Sequence, residues 1–145
     1  MNRYSVPLIT AVLGAAILLR GCTAPSGLKA LDRQAAAEDK MPEGINFQGT
    51  DVNTENARLL ASKDGAKYFA AKNENTNEAC LVIAPEASPS LWVAGCSSYA
   101  RGGEVVKVTG PTGQSAVLVT DGADTGPLQS EGWTKVHDNV LTSGR

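Results

Sequence analysis

The stretch Cys80-Leu81-Val82-Ile83-Ala84-Pro85-Glu86-Ala87-Ser88-Pro89-Ser90-Leu91-Trp92-Val93-Ala94-Gly95-Cys96 decides the fold. Two short apolar runs, residues 80–84 and 91–96, flank a loop carrying two prolines and two serines. Apolar runs of this length between breakers read as strands. Closing them as a hairpin sets Cys80 opposite Cys96, Val82 opposite Ala94 and Ala84 opposite Trp92, all on one face. Opposed residues in an antiparallel pair stand close enough for a disulfide. Closing a loop of about 15 residues contributes on the order of 3 kcal/mol. A metal or redox pair is the rival reading. It wants Cys-x2-Cys spacing or clustered histidines, whereas the chain has three cysteines, widely spaced, and one histidine. Trp92, on the face of the cysteines, reads as packing around the disulfide.

Similar runs continue on both sides. Residues 58–61 and 66–71 flank Asp64-Gly65, a strong hairpin signal. Residues 104–109 and 115–120 flank Gly110-Pro111-Thr112-Gly113, which reads as a turn. Residues 133–136 and 140–141 form one bent strand or two short ones, broken at His137-Asp138-Asn139. No window after Ala57 holds a helical period past a breaker. The expected fold is mainly β, an antiparallel meander of about seven short strands closing into a small barrel or a sandwich over residues 56–145.

The N-terminus has a different character. Arg3 precedes an uncharged stretch, residues 6–19, that ends in Leu19-Arg20-Gly21-Cys22. A positive head, a short apolar core and a small residue before the cut describe a secretory signal, and the stretch is short of the roughly 20 residues a spanning helix needs. Residues 1–21 are therefore expected to be a signal peptide. Residues 22–55 are expected to be a tether with a marginal helix over 28–40, stopped by Pro42, and treated as a coil it reaches on the order of 30 Å. Export to an oxidising space favours the Cys80–Cys96 disulfide.

Composition limits function. With 13 Lys+Arg against 15 Asp+Glu, and 145 residues, the chain is neither a basic nucleic-acid binder nor a multidomain enzyme. No catalytic, metal or cofactor set stands out. His137 reads as a solvated turn residue, because Asp138 beside it projects to the opposite face of an extended strand. Ser97-Ser98 lacks the context of a nucleophile elbow. Asp124-Thr125-Gly126 spells an aspartic-protease triplet without the apolar strand that should lead into it. Asp121 and Asp124 are spaced wrongly for an EF-hand loop and read as a solvated acidic turn. Trp133 and Tyr99 are the candidate ligand contacts, and Tyr68 reads as either core or ligand-facing. The function expected is a non-enzymatic binding module. The alternative is a small cell-envelope hydrolase using carboxylates such as Asp121 and Asp124.

Leu19, Gly21 and Cys22 resemble the lipobox of bacterial lipoproteins, although Arg20 stands where the motif has a small or apolar residue. The resemblance implies a lipid on the Cys22 sulfur and cleavage before it. The membrane is then a partner through the anchor, the location is the outer face of the cytoplasmic membrane, and an envelope protein or small ligand is the further partner. Beyond the lipobox, the chain is similar to small lipoproteins of the high-GC Gram-positive (actinobacterial) type. That likeness rests on Leu31-Asp32-Arg33, Ala37-Glu38-Asp39 with Pro42, Arg58-Leu59-Leu60 with Asp64-Gly65, Cys80-Leu81-Val82, Trp92-Val93-Ala94-Gly95-Cys96 and Gly132-Trp133. It carries no assigned activity.

Overall fold

The computed structural model describes residues 27–48, 50–100 and 102–143. Cys22 and the expected signal peptide lie outside the described residues.

Asp64 and Gly65 take positive φ, 52° and 74°, the geometry of a two-residue hairpin turn whose twist matches the strands it joins. This turn links β1 (Arg58–Lys63) to β2 (Ala66–Lys72). β3 (Glu78–Pro85) follows a polar turn in which the Asn73 side chain accepts from the Asn75 amide at 2.9 Å. β4 (Val93–Ser98) completes a four-stranded antiparallel meander in the order β1-β2-β3-β4.

The expected register holds. Cys80 opposes Cys96, and Val82 opposes Ala94. A disulfide joins the two cysteines, with S–S 2.03 Å. The Ala84–Trp92 pairing is not part of the ladder. Pro89 opens a 3-10 turn over Pro89–Leu91, and the Trp92 amide donates to the Pro89 carbonyl. Proline's fixed φ suits the first position of such a turn, so the strand begins at Val93.

The second sheet contains β5 (Glu104–Thr109), β6 (Ser115–Val119), β7 (Thr134–His137) and β8 (Val140–Ser143). Residues 133–141 thus contribute to two strands, giving eight among the described residues. The order is β5-β6-β8-β7, so this half departs from the expected meander. The short helix α2 (Gly126–Ser130) carries the chain out to the edge, and β8 returns between β6 and β7. Among the described residues no strand of one sheet pairs with a strand of the other, so the fold is sandwich-like and not a closed barrel.

Alternation along the strands divides the apolar residues into three layers. Between the sheets, Tyr68, Ala70, Leu81 and Ile83 meet Val105, Val108, Leu118 and Val140. On the outer face of the first sheet, Phe69, Ala71, Cys80, Val82 and Ala84 are covered by Met41, Ile45 and Val52, with Phe47 and Trp92 at the margin. Trp92 thus packs on the disulfide face, its ring edge-on to Phe47 with centroids 6.3 Å apart. On the outer face of the second sheet, Val117, Val119 and Leu141 lie beneath Leu128 and Trp133.

The middle layer corrects the expected tether. The long helix over 28–40 reduces to α1 (Lys29–Asp32) and one 3-10 turn (Ala37–Asp39). Leu28 and Leu31 are buried in the inter-sheet core, and Met41, Ile45 and Val52 in the outer one. Packing therefore starts at Leu28 rather than near residue 56. Asp39 fastens this segment. Its carboxylate, 3% exposed, accepts two bonds from Arg33, each 2.6 Å. It also accepts from the Ala36 and Leu59 amides, each at 2.7 Å. The Arg33 bonds, with the two amides, hold the Asp39 carboxyl well below the usual carboxylate range, against the opposing effect of burial.

Gly95 of β4 lies tightly against β5. A Cβ there would stand 2.9 Å from Val108 Cγ2 and 3.1 Å from Val106 Cγ2. Valine is stiff at χ1, so Gly95→Ala should lower stability by about 1–3 kcal/mol. Gly103→Ala, whose Cβ meets nothing within 4 Å, should change it by less than about 0.5 kcal/mol. Denaturant midpoints of the two variants check both values.

Asp39→Asn should cost about 2 kcal/mol, the scale of charge-assisted bonds to a buried group. The depressed pKa of Asp39 sets the sign. Its contribution is complete above the unfolded carboxyl pKa of about 3.9 and is lost as pH falls below that value. Wild type should therefore lose more stability than Asp39→Asn between neutral pH and pH ~3. Equal acid sensitivity of the two proteins would contradict the assignment.

Candidate functional site: a polar cleft at one pole of the sandwich

Antiparallel strands place successive turns at alternate ends. Lys72, at the end of β2, reaches Asp32 of α1 with Nζ to Oδ1 of 3.3 Å. The Asp121 amide, just past β6, donates to the Gly27 carbonyl at 2.7 Å. The described chain therefore enters at one pole, where α1 inserts Leu28 and Leu31 between the sheets. The start of β2, the start of β6 and the end of β8 share the opposite pole, since Ser115 opposes Ser143 and Lys63 opposes Ala66.

A cleft of about 450 Å³ opens at that opposite pole. Asp64 of the β1–β2 turn forms one rim, and Pro111, Thr112, Gly113 and Gln114 of the β5–β6 turn form another. Gly113 takes φ +86°, and its amide donates to the Gly110 carbonyl at 3.0 Å. The Thr112 hydroxyl donates to the Gln114 side-chain oxygen, so the Gln114 amide nitrogen remains available. Tyr68, Thr142 and Ser143 line the cleft from the strands.

Tyr68 and Thr142 come from the inner faces of opposite sheets. Each is more than nine-tenths buried, at 1% and 5% exposure. No described residue hydrogen-bonds either hydroxyl. Among the described residues no fully buried side-chain N or O lacks a partner. Both residues line the cleft. Burial raises the Tyr68 phenol, and the charge of Asp64 raises it further. At neutral pH it is an O–H that both donates and accepts.

The residues singled out from the sequence sit elsewhere. Trp133 is half-buried over Val117, Val119 and Leu141, with Lys107 Nζ 4.9 Å from its ring centroid. Tyr99 is half-buried against the inter-sheet core. Its hydroxyl is raised by burial, then by the charges of Asp32 and Asp121. Neither aromatic forms an exposed patch; Leu91, at 47% exposure, is the exposed large apolar side chain among the described residues.

Asp121 and Asp124 are held by different partners. The Asp121 carboxylate accepts from the Lys29 amide at 2.8 Å and from Asn139 Nδ2 at 3.0 Å, joining three segments at the entry pole. Asp124 accepts from the Gly126 amide at 3.0 Å and starts α2. A shallow depression brings Asp121 near Asp138, together with Lys29 and Lys135. Asp138 is held below the usual carboxylate range by its bond from Lys135, the reverse of what a general acid needs. Among the described residues no group of three His, Cys, Asp or Glu side chains is placed to hold a metal ion.

His137 is not the solvated turn residue expected. It is half-buried, and its Nδ1 accepts from the Asn139 amide at 3.1 Å. No known protein family, curated protein sequence or solved structure matches the chain.

Burial lowers the His137 pKa; Asp138 partly offsets this, and the charges of Arg33 and Lys135 add to the lowering. Its contribution to stability is thus present above the unfolded value of about 6.5 and is lost as pH falls through the folded one. The chain has one histidine, so its ring-proton resonance is unambiguous. That resonance should titrate below pH ~6.5. His137→Asn, which keeps an acceptor for the Asn139 amide, should flatten the fall in stability between pH ~6.5 and ~5.

Proposed function

We propose that the chain is a lipid-anchored, extracytoplasmic binding module that is not an enzyme. Cys22 holds it at the outer face of the cytoplasmic membrane, and the polar cleft faces away from the lipid. The observation that supports this reading is the placement of chain entry and cleft at opposite poles. Cys22 and Leu28 are six positions apart, a span of at most about 20 Å. The anchor therefore keeps the α1 pole near the headgroups, much closer than a free 34-residue tether would. A strand of five or six residues then separates that pole from the cleft by roughly 17–20 Å.

Two acyl chains on one cysteine supply the two signals stable anchoring needs, so no basic patch is required. The net charge of −2, which becomes more acidic without Arg3 and Arg20, suits neither nucleic acid nor anionic lipid. Among the described residues no helix is long and apolar enough to cross a membrane. The ligand is an envelope protein or a small molecule reached from the outer side.

In a Gram-positive host, wild type should incorporate labelled fatty acid and Cys22→Ala should not. In vesicles carrying headgroup spin labels, a fluorophore on Ala123→Cys at the entry pole should be quenched. One on Thr112→Cys at the cleft should not be. Label retained in Cys22→Ala, or equal quenching at the two positions, would overturn the reading.

A further inference from the structure

We infer that the distal cleft takes a neutral polyhydroxylated ligand, a single sugar ring or the end of a glycan. The inference rests on the binding-module reading and names the ligand class for its site. Two hydroxyls, Tyr68 and Thr142, reach the cleft from opposite sheets. Each residue is more than nine-tenths buried and lines the cleft, and no described residue hydrogen-bonds either hydroxyl. A hydroxyl both donates and accepts, so the ligand groups that match it best do the same. The Gln114 amide nitrogen adds a donor, and the Asp64 carboxylate adds an acceptor that two neighbouring ligand hydroxyls can share. Pro111 supplies an apolar wall for C–H faces.

Other ligand classes fit less well. An anion finds no Lys, Arg or His among the described lining residues, and it meets Asp64 at the rim. A metal ion finds only one carboxylate among the described lining residues. A wholly apolar ligand would strand the hydroxyls without partners, at a desolvation cost. The volume, about 450 Å³, lies in the range of small-molecule sites.

The mature lipoprotein, in a detergent without a sugar headgroup, should be titrated with glucose, N-acetylglucosamine, glucosamine and glucuronate by amide NMR. The neutral sugars should shift the Gly113, Gln114 and Ser143 amides and leave those near Asp121 unchanged. Tyr68→Phe keeps the ring and removes the hydroxyl, and Thr142→Val is nearly isosteric. Each should weaken binding roughly three- to tenfold, the scale of one neutral hydrogen bond, with unchanged melting temperature. Absence of shifts at tens of millimolar neutral sugar overturns the inference. So does binding by glucosamine or glucuronate alone, or unchanged affinity in both variants. Should either variant fail to fold, the other decides. The lipid-label and quenching results are independent of the sugar titration. A failed titration with intact orientation removes the ligand class only, whereas lost lipidation removes the display reading.

Discussion

The structure depends on one constraint, which is that β3 is apolar on both faces. Ala79, Leu81 and Ile83 point between the sheets, and Cys80, Val82 and Ala84 point outward. All six are at most 1% exposed. A strand of this kind needs two covers, since each fully buried Leu, Ile or Val is worth about 1.5–3 kcal/mol only when water is excluded. The second sheet covers one face. A single antiparallel sandwich has no third sheet for the other, so the segment over residues 41–57 supplies that cover. The Asp39 clamp and the disulfide secure the two margins of this arrangement, one on the β1 side and one along β4.

The same constraint explains why the segment expected as a tether is packed from Leu28 onward. Leu28 and Leu31 read only as part of a marginal helix, and Met41, Ile45 and Val52 are too widely spaced to read as an amphipathic helix or strand. Their burial depends on the sheet they lie against, and local periodicity carries no trace of it. The Asp39 bonds to Leu59 and Arg33 span 20 and 6 positions, beyond what local pattern reports. The strand pairs joined by short turns were legible because their constraints are local. Asp64-Gly65 fixes one register, and alternation about a short loop fixes the Cys80–Cys96 one. The exchange of β7 and β8 was not legible. It depends on which partner β6 accepts, and strands of four residues carry little information about order.

The cleft was partly readable in the same way. Both of its turns appear in the sequence, at Asp64-Gly65 and at 110–113. That they share a pole follows from strand parity within each sheet, together with the way the sheets stack. Parity is countable, but stacking is a tertiary fact. Tyr68 could be placed on a strand, yet not assigned to an inner face near its open end. Trp133 and Tyr99 drew attention as large side chains beside turns, and each instead seals a margin of the core. The polar lining of the cleft thus includes smaller groups, Thr142 and Gln114, whose side chains are unremarkable until the pole assembles them.

Hydroxyls at the open end of an apolar sandwich also fit the demands of both folding and binding. Phe at position 68 and Val at position 142 would fill the same space, so packing alone does not call for the oxygens. In the free protein the cleft that these residues line is open to solvent. A ligand that closes the cleft removes this water and must replace it group for group. Each exchange is worth only about 0.5–1.5 kcal/mol, so a site of this size binds a single ring weakly. The proposed attachment to a membrane would change the consequence of weak binding. Many copies confined to one surface meet a repeated ligand at high effective concentration, and avidity then raises overall binding without any new contact. A shallow, hydroxyl-lined cleft is adequate for a displayed module where it would be inadequate for a freely diffusing one.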